Sequence, residues 1–148
     1  MQKNDVAFDF TLKDQDGNDR TLSTMVKDGP VVLFFYPAAL SPGCTKESCH
    51  FRDLEVEFEA LGAQPVGISM DATELQAKFA KKNDLDFPLL ADVDGEVAHR
   101  YGVKRSLRML KVKRATFIID TDMTVRTVIT SEVSMNSHAD RALDSLRN

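Results

Sequence analysis

The sequence predicts an α/β sandwich: a mixed central sheet flanked by helices, with an N-terminal β-hairpin. Three observations lead there. Apolar runs of strand length alternate with helically spaced apolar residues from Val31 to Asn83. A hairpin and a last helix follow from Ala115 to Leu146. Across all 148 residues there is no repeat, low-complexity tract or linker, so residues 1–148 read as one domain with a single core.

In chain order, Phe8 to Leu12, the turn Asp16-Gly17-Asn18 and Thr21-Leu22 read as a short hairpin. After Gly29-Pro30, Val31 to Tyr36 is apolar on both faces, which suits a central strand covered by helices. Pro37 ends it and Pro42-Gly43 opens the next element. From Cys44 to Leu61 the spacing is helical: Phe51, Leu54, Phe58 and Leu61 form one stripe, with Gly62 just past the end. Pro65 to Met70 reads as a second buried strand and Asp71 to Asn83 as a second helix. Phe87 to Leu90 is extended, and Gly95 to Tyr101 is a short helix. Ala115 to Asp120 is another buried strand, paired with Val125 to Thr130 across Asp122-Met123. Ser137 to Leu146 closes the chain as a helix, with Ala139, Ala142, Leu143 and Leu146 inward.

A net charge of −4 and a pI near 5.3 give the molecule no electrostatic reason to bind nucleic acid or an anionic membrane. One stretch departs from this: Lys104, Arg105, Arg108, Lys111, Lys113 and Arg114 read as a solvated basic loop or as a face for an acidic partner. The longest apolar run is too short for a membrane span, and no signal-peptide run follows Met1. A cytoplasmic protein is therefore expected. In a reducing compartment two cysteines rarely form a permanent bridge, so their chemistry becomes the question.

Chemistry in an open α/β sheet gathers where a central strand ends and a helix begins, here Pro37 to Cys44. Cys44 falls in the first helical turn, where free backbone N–H groups and the helix dipole favour a thiolate, the reactive form. Ser41 can hold a hydroxyl beside the sulfur, and Gly43 keeps bulk away from the backbone donors. Taken by its spacing alone, Cys44 is either such a nucleophile or a small buried hydrophobe. Cys49 follows five residues later. In an intact helix that separation is about 7.5 Å of rise and about 140° of rotation. The two Cα atoms then stand roughly 8–9 Å apart, beyond the ~7 Å that a disulfide spans. If the pair ever bonds, the first turns must unwind.

The segment Tyr36-Pro-Ala-Ala-Leu-Ser-Pro-Gly-Cys-Thr-Lys-Glu-Ser-Cys49 resembles the active-site segment of the peroxiredoxins. Pro37, Ser41 and Cys44 meet the family's Pro-X3-Thr/Ser-X2-Cys pattern, and the second cysteine at Cys49 resembles the bacterioferritin comigratory protein (PrxQ) subgroup. The likeness continues in family order through Gly67–Asp71, Phe87–Asp92, Val97–Val103 and Lys113–Asp120. It implies a thioredoxin-like fold and a peroxidase that needs no metal or organic cofactor. Carried over by position, Cys44 is the peroxidatic cysteine, which attacks a hydroperoxide and becomes a sulfenic acid. Ser41 hydrogen-bonds thiolate and substrate, Pro37 shields the sulfur, and Arg114 stabilises the thiolate and the charge moving along the O–O bond. Backbone N–H groups of Gly43 and Cys44 help to hold the peroxide. Cys49 is the resolving cysteine, forming an intramolecular disulfide that thioredoxin or a similar dithiol protein reduces. A monomer or weak homodimer is expected.

Other residues divide between readings. Glu47 either pairs with an arginine near the site or lies on a solvated face; His50 reads as an exposed helix histidine rather than a metal ligand. His99 and His138 have no partner visible in sequence, and the methionines read as core filling. A thiol–disulfide oxidoreductase would use Cys-X-X-Cys, which is absent; a redox-sensing interaction protein is the other class. A zinc module built on Cys44, Cys49 and His50 lacks a fourth ligand. Ser41 stands where threonine is commoner, and Phe8 where proline is common. Ala38-Ala39-Leu40 lack the polar residues of many relatives, which predicts an apolar pocket mouth that admits alkyl hydroperoxides. Turnover of cumene hydroperoxide at a rate comparable to hydrogen peroxide is the expected outcome; a strong preference for hydrogen peroxide contradicts it.

Overall fold

The computed structural model describes residues 1–105, 111–131 and 134–148. Strands β1 (Thr11–Lys13) and β2 (Asp19–Thr21) pair antiparallel as a separate two-stranded sheet. The hairpin is where the sequence puts it, but its strands lie closer to the turn, and Leu22 starts a short helix, α1 (Leu22–Met25). The cause is local. The Asp14 carboxylate accepts from the N–H groups of Asp16 and Asn18 and from the Arg20 guanidinium, so the turn is held from within.

Strand β3 (Val31–Phe35) is buried along its whole length. Its side chains alternate between two cores: Val31, Leu33 and Phe35 join one, while Val32, Phe34 and the following Tyr36 join the other. Helix α2 (Pro42–Asp53) leaves the loop after β3, and α3 (Glu55–Ala60) follows it. The periodicity predicts one helix from Cys44 to Leu61; the structure breaks it at Leu54 (φ −100°, ψ 11°). There the Leu54 N–H is shared between the His50 and Phe51 carbonyls at 3.1 and 3.2 Å, a tightened turn that no proline or glycine announces.

Strand β4 (Gln64–Ser69) returns parallel to β3; helix α4 (Thr73–Asn83) then leads to β5 (Leu89–Ala91), parallel to β4. After α5 (Glu96–Arg100) come β6 (Ala115–Ile119), antiparallel to β3, and β7 (Val125–Thr130), antiparallel to β6. Helix α6 (Ser137–Arg147) ends the chain. The sheet order is β5-β4-β3-β6-β7, with β3 in the middle. One face is covered by Phe51, Phe58, Phe79, Ala139, Ala142 and Leu143 from α2, α3, α4 and α6. The other carries Leu22, Met25, Val97 and Ala98 from α1 and α5. This is the mixed α/β sandwich with an N-terminal hairpin that the sequence predicts. Arg108 of the basic stretch lies outside the described residues.

Phe34 ties α2 to the sheet: its ring stacks on Phe51 at 4.2 Å between centroids and 11° between planes, and Phe51 stacks in turn near Phe58 at 5.7 Å. Gly67 in β4 is what lets Phe34, Tyr36 and Leu89 close over the strand. A Cβ there would lie 2.7 Å from Leu89 Cδ2, 3.0 Å from Phe34 Cζ and 3.1 Å from Tyr36 Cε1. Gly67→Ala is therefore expected to lose about 1–3 kcal/mol of stability through overpacking. The shift of the urea unfolding midpoint measures it.

Candidate active site

The loop after β3 is pinned from below. The Ala39 N–H donates to Asp71 Oδ2 at 2.7 Å, and the Ser69 hydroxyl donates to the same oxygen at 2.7 Å. Gln76 donates to Ser69 Oγ and to the Leu90 carbonyl, both at 2.8 Å, and its own oxygen accepts from the Tyr36 hydroxyl at 2.6 Å. Tyr36, Ser69 and Gln76 are buried, so this network fixes the loop through polar groups that water does not reach. Leu40 completes the turn with a left-handed backbone, φ 67°. Ser41 then caps α2: its Oγ accepts from the Cys44 N–H at 3.4 Å and donates to the Ala38 carbonyl at 2.8 Å. Pro42 takes the first helical position.

The sulfur of Cys44 is fully buried and free. Arg114 Nη2 donates to it at 3.4 Å, and Arg114 Nη1 donates to Glu47 Oε1 at 2.8 Å. Strand register explains how Arg114 arrives there. Phe35 pairs with Ala115, so the residue before β6 stands beside the one after β3, at the mouth of the loop that carries Cys44. Burial works against the Arg114 cation, but Glu47 and the Cys44 sulfur outweigh it and hold the guanidinium above its ordinary pKa. Gly43 leaves the room: a Cβ there would sit 3.2 Å from Arg114 Nη2 and 3.3 Å from Met135 Sδ.

Behind Glu47 stands His138, also fully buried. Its Nδ1 lies 3.7 Å from Glu47 Oε2 and 2.8 Å from Thr116 Oγ1, while Nε2 is 2.9 Å from the Ser131 carbonyl. A carbonyl only accepts, so Nε2 carries a proton. A buried chain thus runs from Thr116 and His138 through Glu47 and Arg114 to the sulfur. A cysteine in the first turn of a helix, touched by a buried arginine, is a site for an anionic sulfur nucleophile.

The AhpC/TSA family profile matches residues 4–128. The chain belongs to the AhpC/TSA family. Among its relatives is a chloroplastic peroxiredoxin Q of Sedum lineare, 41% identical over 138 residues, which cover 93% of this chain and 74% of the relative. The crystal structure of the peroxidoxin BcpB from Mycobacterium tuberculosis superposes with a TM-score of 0.96 at 56% identity, covering 99% of this chain and 97% of that one. A Xanthomonas campestris bacterioferritin comigratory protein, described for its alkyl peroxide reduction activity, gives a TM-score of 0.85 at 28% identity over 93% and 90% of the two chains. These neighbours are thioredoxin-fold peroxiredoxins, and the AhpC/TSA chain described here shares their fold and their class, that of thiol peroxidases.

Of the residues singled out in sequence, Ser41, Gly43, Cys44 and Arg114 meet at this one place, and Pro37 is buried just past the end of β3, where the loop that carries them begins. Cys49 lies apart from the sulfur of Cys44, with its thiol 3.7 Å from Asn83 Oδ1 on α4. Glu47 is on no solvated face; it is fully buried against Arg114. His50 Nε2 is 2.7 Å from Asp140, so Cys44, Cys49 and His50 each face a different partner. His138 has the acidic neighbour that sequence does not reveal, and Met135 borders the site rather than the core. One signal for His138 exists: it precedes Ala142 by four residues and so shares the inward face of α6. Ala39 is buried and Ala38 half-buried, so Leu40 is the exposed residue of the expected apolar mouth; it shares an open cavity of about 520 Å³ with Lys78, Lys81 and Lys82.

Glu47→Ala takes the carboxylate away from the buried Arg114 guanidinium and is expected to lose about 3–5 kcal/mol of stability together with most peroxidase activity. Glu47→Gln keeps an acceptor and the volume, and should lose less of both. Chemical denaturation and a peroxide-consumption assay on the two variants measure the difference.

Proposed function

We propose that Cys44 is the peroxidatic cysteine of a two-cysteine peroxidase. The observation that carries this reading is the Arg114 Nη2 contact to Cys44 Sγ at 3.4 Å, made at the N-terminus of α2. The thiolate attacks one peroxide oxygen: an S–O bond forms, the O–O bond breaks, and the leaving oxygen departs as an alcohol or water after taking a proton. The sulfur is oxidised to a sulfenic acid and the peroxide is reduced. Arg114 stabilises both the thiolate and the charge that moves to the leaving oxygen, and its fixed fork of donors suits two partners at once. Ser41 orients the first turn and offers its hydroxyl to the substrate, with the N–H groups of Gly43 and Cys44 beside it. Pro37, buried where β3 ends, limits water at the sulfur.

Cys49 then attacks the sulfenic sulfur. An S–S bond forms and water leaves, and a thioredoxin or similar dithiol protein returns the pair to two thiols. The alkyl peroxide reduction of the Xanthomonas relative supports hydroperoxides as the substrate class. Both cysteines lie in one chain, so the cycle needs no second copy, and a monomer or weak homodimer suffices. Among the described residues no helix is long and apolar enough to cross a membrane, and the net charge of −4 offers nucleic acid little. A cytoplasmic setting, where dithiol reductants are present, suits the cycle.

The test is stoichiometric. One equivalent of peroxide added to the reduced wild type should consume two thiols and yield a Cys44–Cys49 disulfide by mass spectrometry. Cys44→Ser should abolish turnover, and Cys49→Ser should consume one equivalent and stop at a sulfenic acid or an intermolecular disulfide. Turnover by Cys44→Ser would overturn the assignment.

A further inference from the structure

Helix α2 has to be stable around Cys44 while the thiol waits and has to come apart before Cys49 can reach it. We propose that Ser48 is the positioning residue that primes this unwinding, working against a latch that Asn83 closes on Cys49. The proposal rests on the reading of Cys44 and Cys49 given above.

Ser48 sits between the two cysteines and is fully buried. Its hydroxyl finds no hydrogen-bond partner among the described residues, not even the carbonyl four residues back to which helical serines often turn. A buried hydroxyl without a partner penalises the state that buries it. Ser48 lies inside the segment from Cys44 to Cys49 that must lose its helix for the disulfide to form, and unwinding gives the hydroxyl to water. The penalty therefore acts on the wound helix alone.

The opposing contact is on α4. Cys49 Sγ lies 3.7 Å from Asn83 Oδ1, and Asn83 Nδ2 donates to the Phe79 carbonyl at 3.1 Å, which fixes the amide so that its oxygen faces the thiol. Arg52, one turn beyond Cys49, donates from Nη1 to the Asn83 carbonyl at 2.6 Å. The Cys49–Arg52 turn is thus fastened to the end of α4 and must release its thiol before Cys49 can move toward Cys44. Ser48 and Asn83 act with opposite sign on one equilibrium. That equilibrium decides the fate of the sulfenic acid. If the helix opens, Cys49 forms the disulfide with loss of water; if it stays wound, a second hydroperoxide oxidises the sulfenate to a sulfinic acid and leaves as an alcohol or water.

The test compares reduced full-length wild type, Ser48→Ala and Asn83→Ala. Peroxide consumption reports the first step, dimedone trapping with mass spectrometry reports the sulfenic lifetime and the sulfinic yield, and hydrogen exchange reports the amides of residues 44–49. First-step rates should match within about twofold, because among the described residues neither side chain hydrogen-bonds to the sulfur of Cys44 or to Arg114. Ser48→Ala should lengthen the sulfenic lifetime about tenfold, the factor that removing one unsatisfied buried hydroxyl gives, with more sulfinic acid and slower exchange. Asn83→Ala should shift all three the other way. A role in global stability alone would move the unfolding midpoint and leave the sulfenic lifetime unchanged, and that result overturns the proposal. So does faster resolution in Ser48→Ala. Absence of a Cys44–Cys49 disulfide in the wild type overturns the underlying reading as well, which separates the two failures.

Discussion

The site is organised around one buried cation. Taking a guanidinium out of water carries an effective penalty of several kcal/mol, offset only where anions and hydrogen bonds meet it with good geometry. Arg114 is 7% exposed, and it finds Glu47 at 2.8 Å and the Cys44 sulfur at 3.4 Å. Both partners come from the first turns of α2, three residues apart, so a single side chain rooted next to β6 clamps the start of that helix. The same demand accounts for Gly43, since a side chain there would press on the guanidinium, and for the buried His138 that backs Glu47 from α6. Charge that cannot go unpartnered in the interior dictates which residues surround the sulfur.

The sheet supplies the rigidity that such a cation needs. β3 is covered on both faces, and its alternation sends Phe34 and Tyr36 to the side where α2 lies. Phe34 grips α2 through Phe51, while Tyr36 hands the loop to Gln76, Ser69 and Asp71. The apolar contact holds the helix and the polar chain holds the loop before it. Cys44 is fixed at the junction of two supports with different chemistry, and the antiparallel register of β6 brings Arg114 to the same junction.

Much of this is legible in the sequence, because it depends on neighbours along the chain. Two-residue alternation marks β3, and three- and four-residue spacing marks the helices. The turn chemistry at Asp16-Gly17-Asn18 marks the hairpin. Cys44, Ser41 and Gly43 are adjacent in sequence, so their meeting needs no fold. Arg114 and His138 come from 70 and 94 residues beyond Cys44, and nothing local distinguishes Arg114 from the basic residues around it; its place depends on the pairing of Phe35 with Ala115. Glu47 could have been read differently. Cys44, Glu47, Ser48 and Phe51 are spaced as one helical face, and all four are fully buried, but two polar residues in that stripe disguise it as solvated. The break at Leu54 escapes for the opposite reason: a continuous helix and a broken one carry the same apolar stripe.

That break bears on how a helix can be both a support and a moving part. The N-terminal end of α2 has its side-chain cap at 3.4 Å, at the long end of the hydrogen-bond range, and is otherwise held by the Arg114 clamp on Cys44 and Glu47. Its C-terminal end is held by the Phe51 ring, whose burial contributes about 1.5–3 kcal/mol, and Phe51 lies after Cys49. An opening confined to Pro42–Cys49 therefore keeps both Phe51 and Phe58 in the core. The turn at Leu54 separates α3 from whatever happens upstream, because α3 has its own buried anchor in Phe58 and its own backbone bonds. Had the two been one straight helix, loss of the first turns would have loosened the remainder through the shared hydrogen-bond ladder. In the broken arrangement the weakly capped turns carry the sulfur, and the stacked rings carry the fold.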